Sequence, residues 1–217
     1  RIHRTGSVKY DPVDSQTDCT QLTALVQVLK DARLSPPRRL MTAASTHAGE
    51  EKEIAQVFLN LKKTRPDLGL LIVPRHVERC AAIMEDLRSL GIAPALRSQV
   101  NGPADRSPDC LLVDTTGELR TWQALSEIVV IGKSFLAKGG QNPAEAALEG
   151  KPVFFGPNMQ NFEPLVRLLL RPGGAIQVAD WDELEARCGA VLDNPAKAAE
   201  IGAAGKESLL KHSGATL

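Results

Sequence analysis

The chain has 217 residues, enough for one large α/β domain with a single core, so we expect residues 1–217 to form one domain. Its 26 Lys and Arg residues balance 26 Asp and Glu residues, so no net charge favours binding to nucleic acid or to an anionic membrane. Only 4% of the residues are aromatic, which predicts a core of small aliphatic side chains with helices covering a sheet.

The four cysteines are widely spaced without a CxxC pair, which predicts neither a zinc ribbon nor a dense disulfide framework. No apolar run approaches the roughly 20 residues of a membrane helix, and the first residues lack the apolar centre of a signal peptide. The sequence therefore predicts a cytoplasmic domain without a membrane segment. It begins with arginine rather than methionine, which suggests that an upstream part was removed, although a processed or trimmed end would look the same.

Apolar residues at helical spacing predict a surface helix over residues 20–32, and from Leu40 onward short apolar runs alternate with longer helical patterns. The predicted strands are residues 40–45, 68–73, 95–100, 110–114, 127–132, 152–156 and 175–178; the predicted helices are residues 50–63, 77–90, 119–125, 143–149 and 162–170, followed by two terminal helices. Runs such as LLIV and IVVI are typical of strands buried on both faces. The pattern predicts an α/β fold with a Rossmann-like parallel sheet and helices on both faces.

The loops after the strands are the candidates for function, because open parallel sheets bind ligands beyond the carboxyl ends of their strands. The strongest is KGGQNPAE, in which Gly139 and Gly140 permit a tight turn and Asn142 can cap a helix with Glu145 in its first turn. The free N–H groups of such a helix terminus, next to Lys138, favour a phosphate. A simple capping box of Asn142 and Glu145 is the alternative, and both interpretations can hold together.

The PRHVER segment follows another predicted strand, so Arg75 and His76 are expected at the same edge, with Arg79 one turn along the next helix. Two guanidinium groups and an imidazole suit a phosphate, a ribose, a base edge or the carboxylate of an acidic sugar; an ordinary surface segment is the alternative. His76 and Cys80 have the spacing of a metal pair, but without a third ligand we expect no zinc site.

The STHAGE segment follows the first core strand and opens a helix. We predict that Ser45 or Thr46 caps this helix and that its positive end stabilises Glu50 and Glu51. His47 could instead be catalytic, but no nucleophile elbow accompanies it, which argues against acyl transfer.

Two further motifs are predicted to be structural. The GKS tripeptide at residues 132–134 resembles the end of a P-loop, but Glu127 stands where that motif needs glycine. Asp180 and Asp182 imitate a metal-binding DxD motif, but they begin a helix and are predicted to be its N-cap and first-turn acid. We therefore expect no metal site.

Taken together, ASTHAGEE, LIVPRHVER, DTTGEL and KGGQNPAEAALEGKPVFFGPNMQNF resemble, in order and spacing, the C-terminal half of the 3-deoxy-D-manno-octulosonic acid (Kdo) transferases of lipopolysaccharide assembly. The resemblance runs from Thr5 to the last helix. It implies the GT-B architecture, in which two Rossmann-like domains face each other and the C-terminal one binds most of the donor. GGxNPxE alone indicates only the wider GT-B class, whereas its combination with PRH and FGPxxxNF is specific.

The resemblance implies an inverting transfer of Kdo from CMP-Kdo to lipid A precursor, without a metal or another cofactor. The catalytic carboxylate, the acceptor surface and the membrane-anchoring region belong to an N-terminal domain that this chain is expected to lack. The chain is therefore expected to bind CMP or CMP-Kdo without catalysing transfer. Its parent enzyme is expected at the cytoplasmic face of the bacterial inner membrane.

The residues that the resemblance assigns to donor binding are Ser45, Thr46, His47, Pro74, Arg75, His76, Gly117, Glu118, Ser134, Lys138, Gly139, Gly140, Asn142, Glu145 and Asn161. Within this set the phosphate is assigned to the paired glycines and Asn142, the ribose to Glu145 and the cytidine to residues 74–76. Residues 45–47 line the opposite wall of the cleft. Lys133 stands where the family has a glycine, so its side chain either adds a phosphate contact or distorts the turn.

Two alternatives stay open. A nucleotide-sugar epimerase of GT-B type would keep the fold but bind UDP, whose second phosphate needs more hydrogen-bond donors. A non-catalytic module would use this edge of the sheet for protein binding, or only for helix capping. Separation from a partner domain also predicts an exposed apolar face.

Overall fold

The computed structural model describes residues 18–34, 39–103 and 107–212, so the start of the family resemblance at Thr5 lies outside the described residues. The strands are β1 Arg39–Thr46, β2 Leu68–Pro74, β3 Pro94–Leu96, β4 Cys110–Leu112, β5 Ile128–Ile131, β6 Val153–Phe155 and β7 Ile176–Gln177. The helices are α1 Cys19–Asp31, α2 Glu50–Lys62, α3 Cys80–Ser89, α4 Leu119–Ala124, α5 Ala144–Leu148, α6 Glu163–Leu170, α7 Trp181–Leu192 and α8 Pro195–His212.

The strands form one sheet in the order β3-β4-β2-β1-β5-β6-β7, and every neighbouring pair is parallel. The order reverses between β1 and β5, because β2, β3 and β4 lie on one side of β1, and β5, β6 and β7 lie on the other side. The crevice at such a reversal is where open α/β sheets bind their ligands. The predicted α/β class with a parallel sheet is confirmed, and the loops after β1 and β5 border the crevice.

Two layers of helices cover the sheet, because side chains alternate between its faces. Met41, Leu70 and Val130 face the layer that contains α2, α3 and α7. The opposite layer contains α1 and α4 over one half of the sheet, and α5 and α6 over the other half. As predicted from the low aromatic content, aliphatic side chains make up most of both layers.

Three expectations need correction. The strand predicted over residues 95–100 ends at Leu96 and continues as a 3-10 turn over Arg97–Gln99, because β3 is an edge strand that pairs with β4 alone. The helix predicted from Val77 begins with a separate 3-10 turn before α3. The prediction of an exposed apolar face is also wrong for the described part of the chain, where Leu136 and Leu210 are the only exposed large apolar side chains.

No helix in the described ranges combines the length and the hydropathy needed to cross a lipid bilayer.

Candidate functional site

Gly132 brings the loops after β1 and β5 into direct contact. A Cβ atom at this position would lie 2.5 Å from Thr46 Cα and 2.6 Å from the Ser45 carbonyl oxygen. Both atoms belong to the backbone and cannot move aside like a flexible side chain. Glycine is therefore required for the close approach of the two loops.

Glu50, the first residue of α2, links the same two loops. Its fully buried carboxylate accepts backbone N–H bonds from His47 (3.0 Å) and Lys133 (2.6 Å) on one oxygen, and from Ser134 (3.1 Å) and Phe135 (3.2 Å) on the other. Such charge-assisted bonds to N–H groups are among the stronger hydrogen bonds in proteins. The sequence pattern assigns Glu50 only to the helix dipole, because its partners after β5 are 83–85 residues away in sequence.

Neither Ser45 nor Thr46 caps α2, contrary to the prediction. The N-cap position is Gly49, which has a left-handed φ of 89° and makes no side-chain capping bond. Ser45 also has a left-handed φ, 55°, at a shift in the pairing register of β1 with β2. Thr46 is buried, and its hydroxyl donates to Glu51 instead (2.9 Å).

Arg79 does not face an open ligand site, contrary to the prediction. Its guanidinium makes a bidentate pair with the buried carboxylate of Glu51, at 2.7 and 3.1 Å, and this pairing raises the pKa of Arg79. The pair fixes the turn before α3 against the first turn of α2. Arg75 is therefore the exposed guanidinium of the PRHVER segment.

The loops after β1 and β2 lie side by side. The N–H of Arg75 donates to the carbonyl of Thr46 (3.1 Å), and the His47 and His76 rings meet edge to face with centroids 5.8 Å apart. His76 is exposed, and Pro74 is the buried last residue of β2. Two imidazoles and one exposed guanidinium thus form a basic group at the carboxyl edge of the sheet.

The paired glycines make the predicted tight turn, with left-handed φ angles of 109° at Gly139 and 73° at Gly140. Their N–H groups both have acceptors within the protein, so they are not the free donors that the sequence pattern predicted. Gly139 donates to the side-chain oxygen of Gln160 (2.9 Å), and Gly140 donates to the carbonyl of Lys133 (3.0 Å). The two glycine amides therefore hold the loop together.

The absence of side chains at these glycines makes room for the loop after β6. A Cβ on Gly139 would lie 2.6 Å from Asn161 Nδ2, and one on Gly140 would lie 2.4 Å from Met159 Sδ. Asn161 also donates its N–H to the Gly139 carbonyl (3.0 Å). The structure thus places Asn161 directly against the paired-glycine turn.

Asn142 caps α5 as predicted, because its side-chain oxygen accepts the N–H of Ala144 (3.0 Å), although Pro143 occupies the N-cap position. The second hydrogen bond of a capping box, to the side chain of Glu145, is missing, since no described residue donates a hydrogen bond to the Glu145 carboxylate. Within the described ranges, the N–H groups of Glu145 and Ala146 also make no hydrogen bond. The first turn of α5 therefore keeps unpaired donors, as helix N-termini do.

The Glu145 carboxylate is half-buried beside these donors. Burial raises its pKa above the ordinary range, and the positive charge of Arg120 opposes this effect in part. Lys138 is exposed on the preceding turn. A half-buried carboxylate that accepts no hydrogen bond from the described chain is a candidate for ligand binding.

Ser134 is fully buried and supports the loop from inside. Its hydroxyl donates to the carbonyl of Ile131 (2.6 Å) and accepts the N–H of Gly156 (2.9 Å), while its carbonyl accepts the N–H of Asn158 (2.9 Å). The residue thereby joins the loops after β5 and β6. Its assignment to donor binding stays a prediction.

Gly117 and Glu118 lie on the loop after β4, directly before α4. The Glu118 carboxylate accepts bonds from Thr115 (2.6 Å), Arg97 (3.0 Å) and Trp122 Nε1 (3.2 Å). No hydrogen bond in the described part of the chain joins either residue to the loops after β1, β2 or β5. Their assignment to donor binding stays a prediction, as it does for the other predicted site residues.

Asp180 is the N-cap of α7, where its side chain accepts the N–H of Glu183 (2.9 Å), and Asp182 lies in the first turn. The structural interpretation of this motif is confirmed. Across residues 18–34, 39–103 and 107–212, no group of three or more His, Cys, Asp or Glu side chains is arranged to hold a metal ion.

Lys133 adopts a left-handed φ of 54° where the resembling family has glycine. This conformation costs a residue with a side chain about 1–2 kcal/mol, whereas the greater chain entropy of glycine costs about 0.5–1 kcal/mol. We expect Lys133→Gly to raise the free energy of unfolding by about 0.5–1 kcal/mol in urea denaturation. Arg33→Gly, at a second left-handed position (φ 55°), is the matched control and should give a similar gain. A less stable Lys133→Gly protein would contradict this account of the turn.

The sheet order, the two helical layers and the edge loops define the class: the chain has the Rossmann-like fold of GT-B glycosyltransferase domains. The C-terminal domain of a group 1 family glycosyltransferase, LpcC from Francisella tularensis, shares this fold. The TM-score is 0.59 over 85% of this chain and 90% of that domain, at 12% sequence identity.

Sequence similarity then identifies the family. The 3-deoxy-D-manno-octulosonic acid transferase of Haemophilus influenzae is 31% identical over 216 residues, which cover 99% of this chain and 49% of that protein. The C-terminal CMP-Kdo binding domain of WaaA from Acinetobacter baumannii is 27% identical, with a TM-score of 0.79 over 88% of this chain and 98% of that domain. No family model matches the chain. The chain belongs to the Kdo transferase family, and it spans about half the length of the Haemophilus relative.

Proposed function

We propose that this chain is the donor-binding domain of a Kdo transferase and binds CMP and CMP-Kdo at the carboxyl edge of its sheet. The similarity to the Acinetobacter domain extends over nearly all of that domain, which supports the proposal. The sheet reversal between β1 and β5 supports the location, because ligands of open α/β sheets bind at this point.

The proposal rests on one observation, the lack of a hydrogen-bond donor to the Glu145 carboxylate. Its carboxylate is half-buried at the first turn of α5 and accepts no hydrogen bond from the described residues, while the adjacent N–H groups have no acceptor there. A nucleotide supplies both missing partners. The ribose hydroxyls donate to the carboxylate, and the phosphate accepts from the N–H groups.

The charge of the ligand also fits this edge. CMP-Kdo contains one phosphoryl group between nucleoside and sugar, and one carboxylate on the sugar. Lys138 is an exposed cation on the loop after β5, and Arg75 is one on the loop after β2, next to His76, whose ring meets that of His47. These groups suffice to neutralise a single phosphoryl group without a metal ion.

The whole enzyme transfers Kdo to lipid A precursor by means of an N-terminal domain that supplies the catalytic carboxylate and the acceptor surface. This chain alone binds the donor and does not catalyse transfer. Its parent enzyme acts at the cytoplasmic face of the inner membrane.

Calorimetric titration with CMP, UDP and a UDP-sugar tests the proposal. We expect saturable binding of CMP and at least about tenfold weaker binding of UDP, a difference of about 1.4 kcal/mol. Tighter binding of UDP or of the UDP-sugar would favour an epimerase-type ligand. If millimolar CMP neither binds nor raises the melting temperature, the chain is a non-catalytic module and the proposal fails.

A further inference from the structure

We propose that Glu50 is a positioning residue for the nucleotide site. Its carboxylate holds the loop after β5 in the shape that binds the nucleotide, and it acts through backbone N–H groups without touching the ligand. This inference rests on the proposed function, since it concerns the same site.

The hydrogen bonds of Glu50 reach the paired-glycine turn in two steps. Glu50 accepts the N–H of Lys133, and the carbonyl of Lys133 accepts the N–H of Gly140. Gly140 stands two residues before Asn142, the cap of α5. A change in the turn at Lys133 therefore alters the position of the helix start on which Glu145 lies.

The same carboxylate also holds the opposite wall of the crevice. It accepts the N–H of His47, whose ring contacts the ring of His76. One buried side chain thus sets the separation between the basic group after β1 and β2 and the start of α5.

A glutamine at this position cannot reproduce the arrangement. Each oxygen of the Glu50 carboxylate accepts two N–H bonds, so four donors are satisfied at once. The side-chain amide introduced by Glu50→Gln would offer one oxygen to two of these donors and direct its own NH2 group at the other two. Two buried N–H groups would lose their partner, and the loop would move to recover one.

Trp181 offers a direct probe of this movement. The ring of Phe135, in the loop that Glu50 holds, stacks on Trp181 with centroids 3.9 Å apart and an interplanar angle of 19°. The other tryptophan of the chain, Trp122, is fully buried. Quenching of fluorescence by acrylamide therefore reports mainly on Trp181 and on the loop packed against it.

The test compares CMP affinity and acrylamide quenching for the wild type and Glu50→Gln, at a temperature where both proteins are fully folded. We expect Glu50→Gln to weaken CMP binding at least tenfold and to increase the quenching of Trp181. Asp67→Asn is the matched control, because Asp67 makes a bidentate pair with Arg39 at the start of β1, away from the crevice. It should lower stability and leave CMP affinity within about twofold.

Unchanged CMP affinity in a folded Glu50→Gln protein overturns the proposal, as does an equal loss of affinity in Asp67→Asn. If Glu50→Gln does not fold, Glu50→Asp replaces it; this variant keeps the charge but shortens the reach, and unchanged affinity in it likewise overturns the proposal. If the wild type itself fails to bind CMP, the proposed function fails. The quenching difference between wild type and Glu50→Gln then decides alone whether Glu50 orders the loop.

Discussion

Replacement of Gly132 by alanine is expected to lower the free energy of unfolding by about 3–5 kcal/mol, near the upper end for single substitutions. The added Cβ would lie 2.5 Å from Thr46 Cα and 2.6 Å from the Ser45 carbonyl oxygen. Because both are backbone atoms at the junction of the two central strands, relief requires β1 and β5 to separate. Denaturation in urea, followed by circular dichroism, measures the loss.

Gly189→Ala is the matched control. Gly189 lies inside α7, and its added Cβ would meet side-chain atoms rather than backbone, Arg65 Nη2 at 3.1 Å and Leu61 Cδ2 at 3.4 Å. Alanine also favours a helix over glycine by about 1 kcal/mol. We expect unchanged or slightly increased stability for this variant. Equal destabilisation by the two substitutions would show that the contact at Gly132 has no special role.

The second large effect is expected at Glu145. Replacement by glutamine removes the charge that accepts hydrogen bonds from the ribose, and bonds to charged groups contribute about 1.5–3 kcal/mol. We therefore expect Glu145→Gln to weaken CMP binding by about 10- to 100-fold in calorimetric titration. Glu149→Gln is the control, since Glu149 pairs with Arg120 at 2.7 Å and has no assigned contact with the nucleotide. Its CMP affinity should match the wild type.

The same substitution should stabilise the ligand-free domain at neutral pH. Burial raises the pKa of Glu145 in the folded state, so the folded protein favours the protonated form more than the unfolded chain does. The ionised group therefore costs stability once the pH rises above its unfolded pKa. Glutamine removes this cost, so the gain in the free energy of unfolding should be full near pH 7 and vanish as the pH falls below about 4. A variant that loses stability at pH 7 would contradict a desolvated, unpaired Glu145.

Much of the fold could be predicted because its signals are local. The continuous apolar runs LLIV, CLLV and IVVI correspond to β2, β4 and β5, and their alternation with helical segments indicated the parallel α/β class. The length of β3 was overestimated. This strand lies at the edge of the sheet and pairs with β4 alone, so no second strand extends the pairing beyond Leu96.

The candidate site could be predicted only in part from the sequence. The sequence indicated which loops meet at the edge of the sheet, because topology alone requires it. It did not reveal that Glu50 links these loops, because the positive end of the helix dipole already explains a carboxylate at the start of a helix. The paired glycines were predicted to face a ligand, yet close packing against Asn161 and Met159 accounts for both. Such long-range contacts leave no periodic signal in the sequence.

The most direct measurement is the change in backbone amide chemical shifts when CMP is added to the isotope-labelled chain. We expect the largest changes at Glu145 and Ala146, with further changes in the loops that contain His47 and Arg75. Shifts confined to the groove between α2 and α7, lined by Asn60 and Glu185 among others, would contradict it. So would the absence of any shift at saturating CMP.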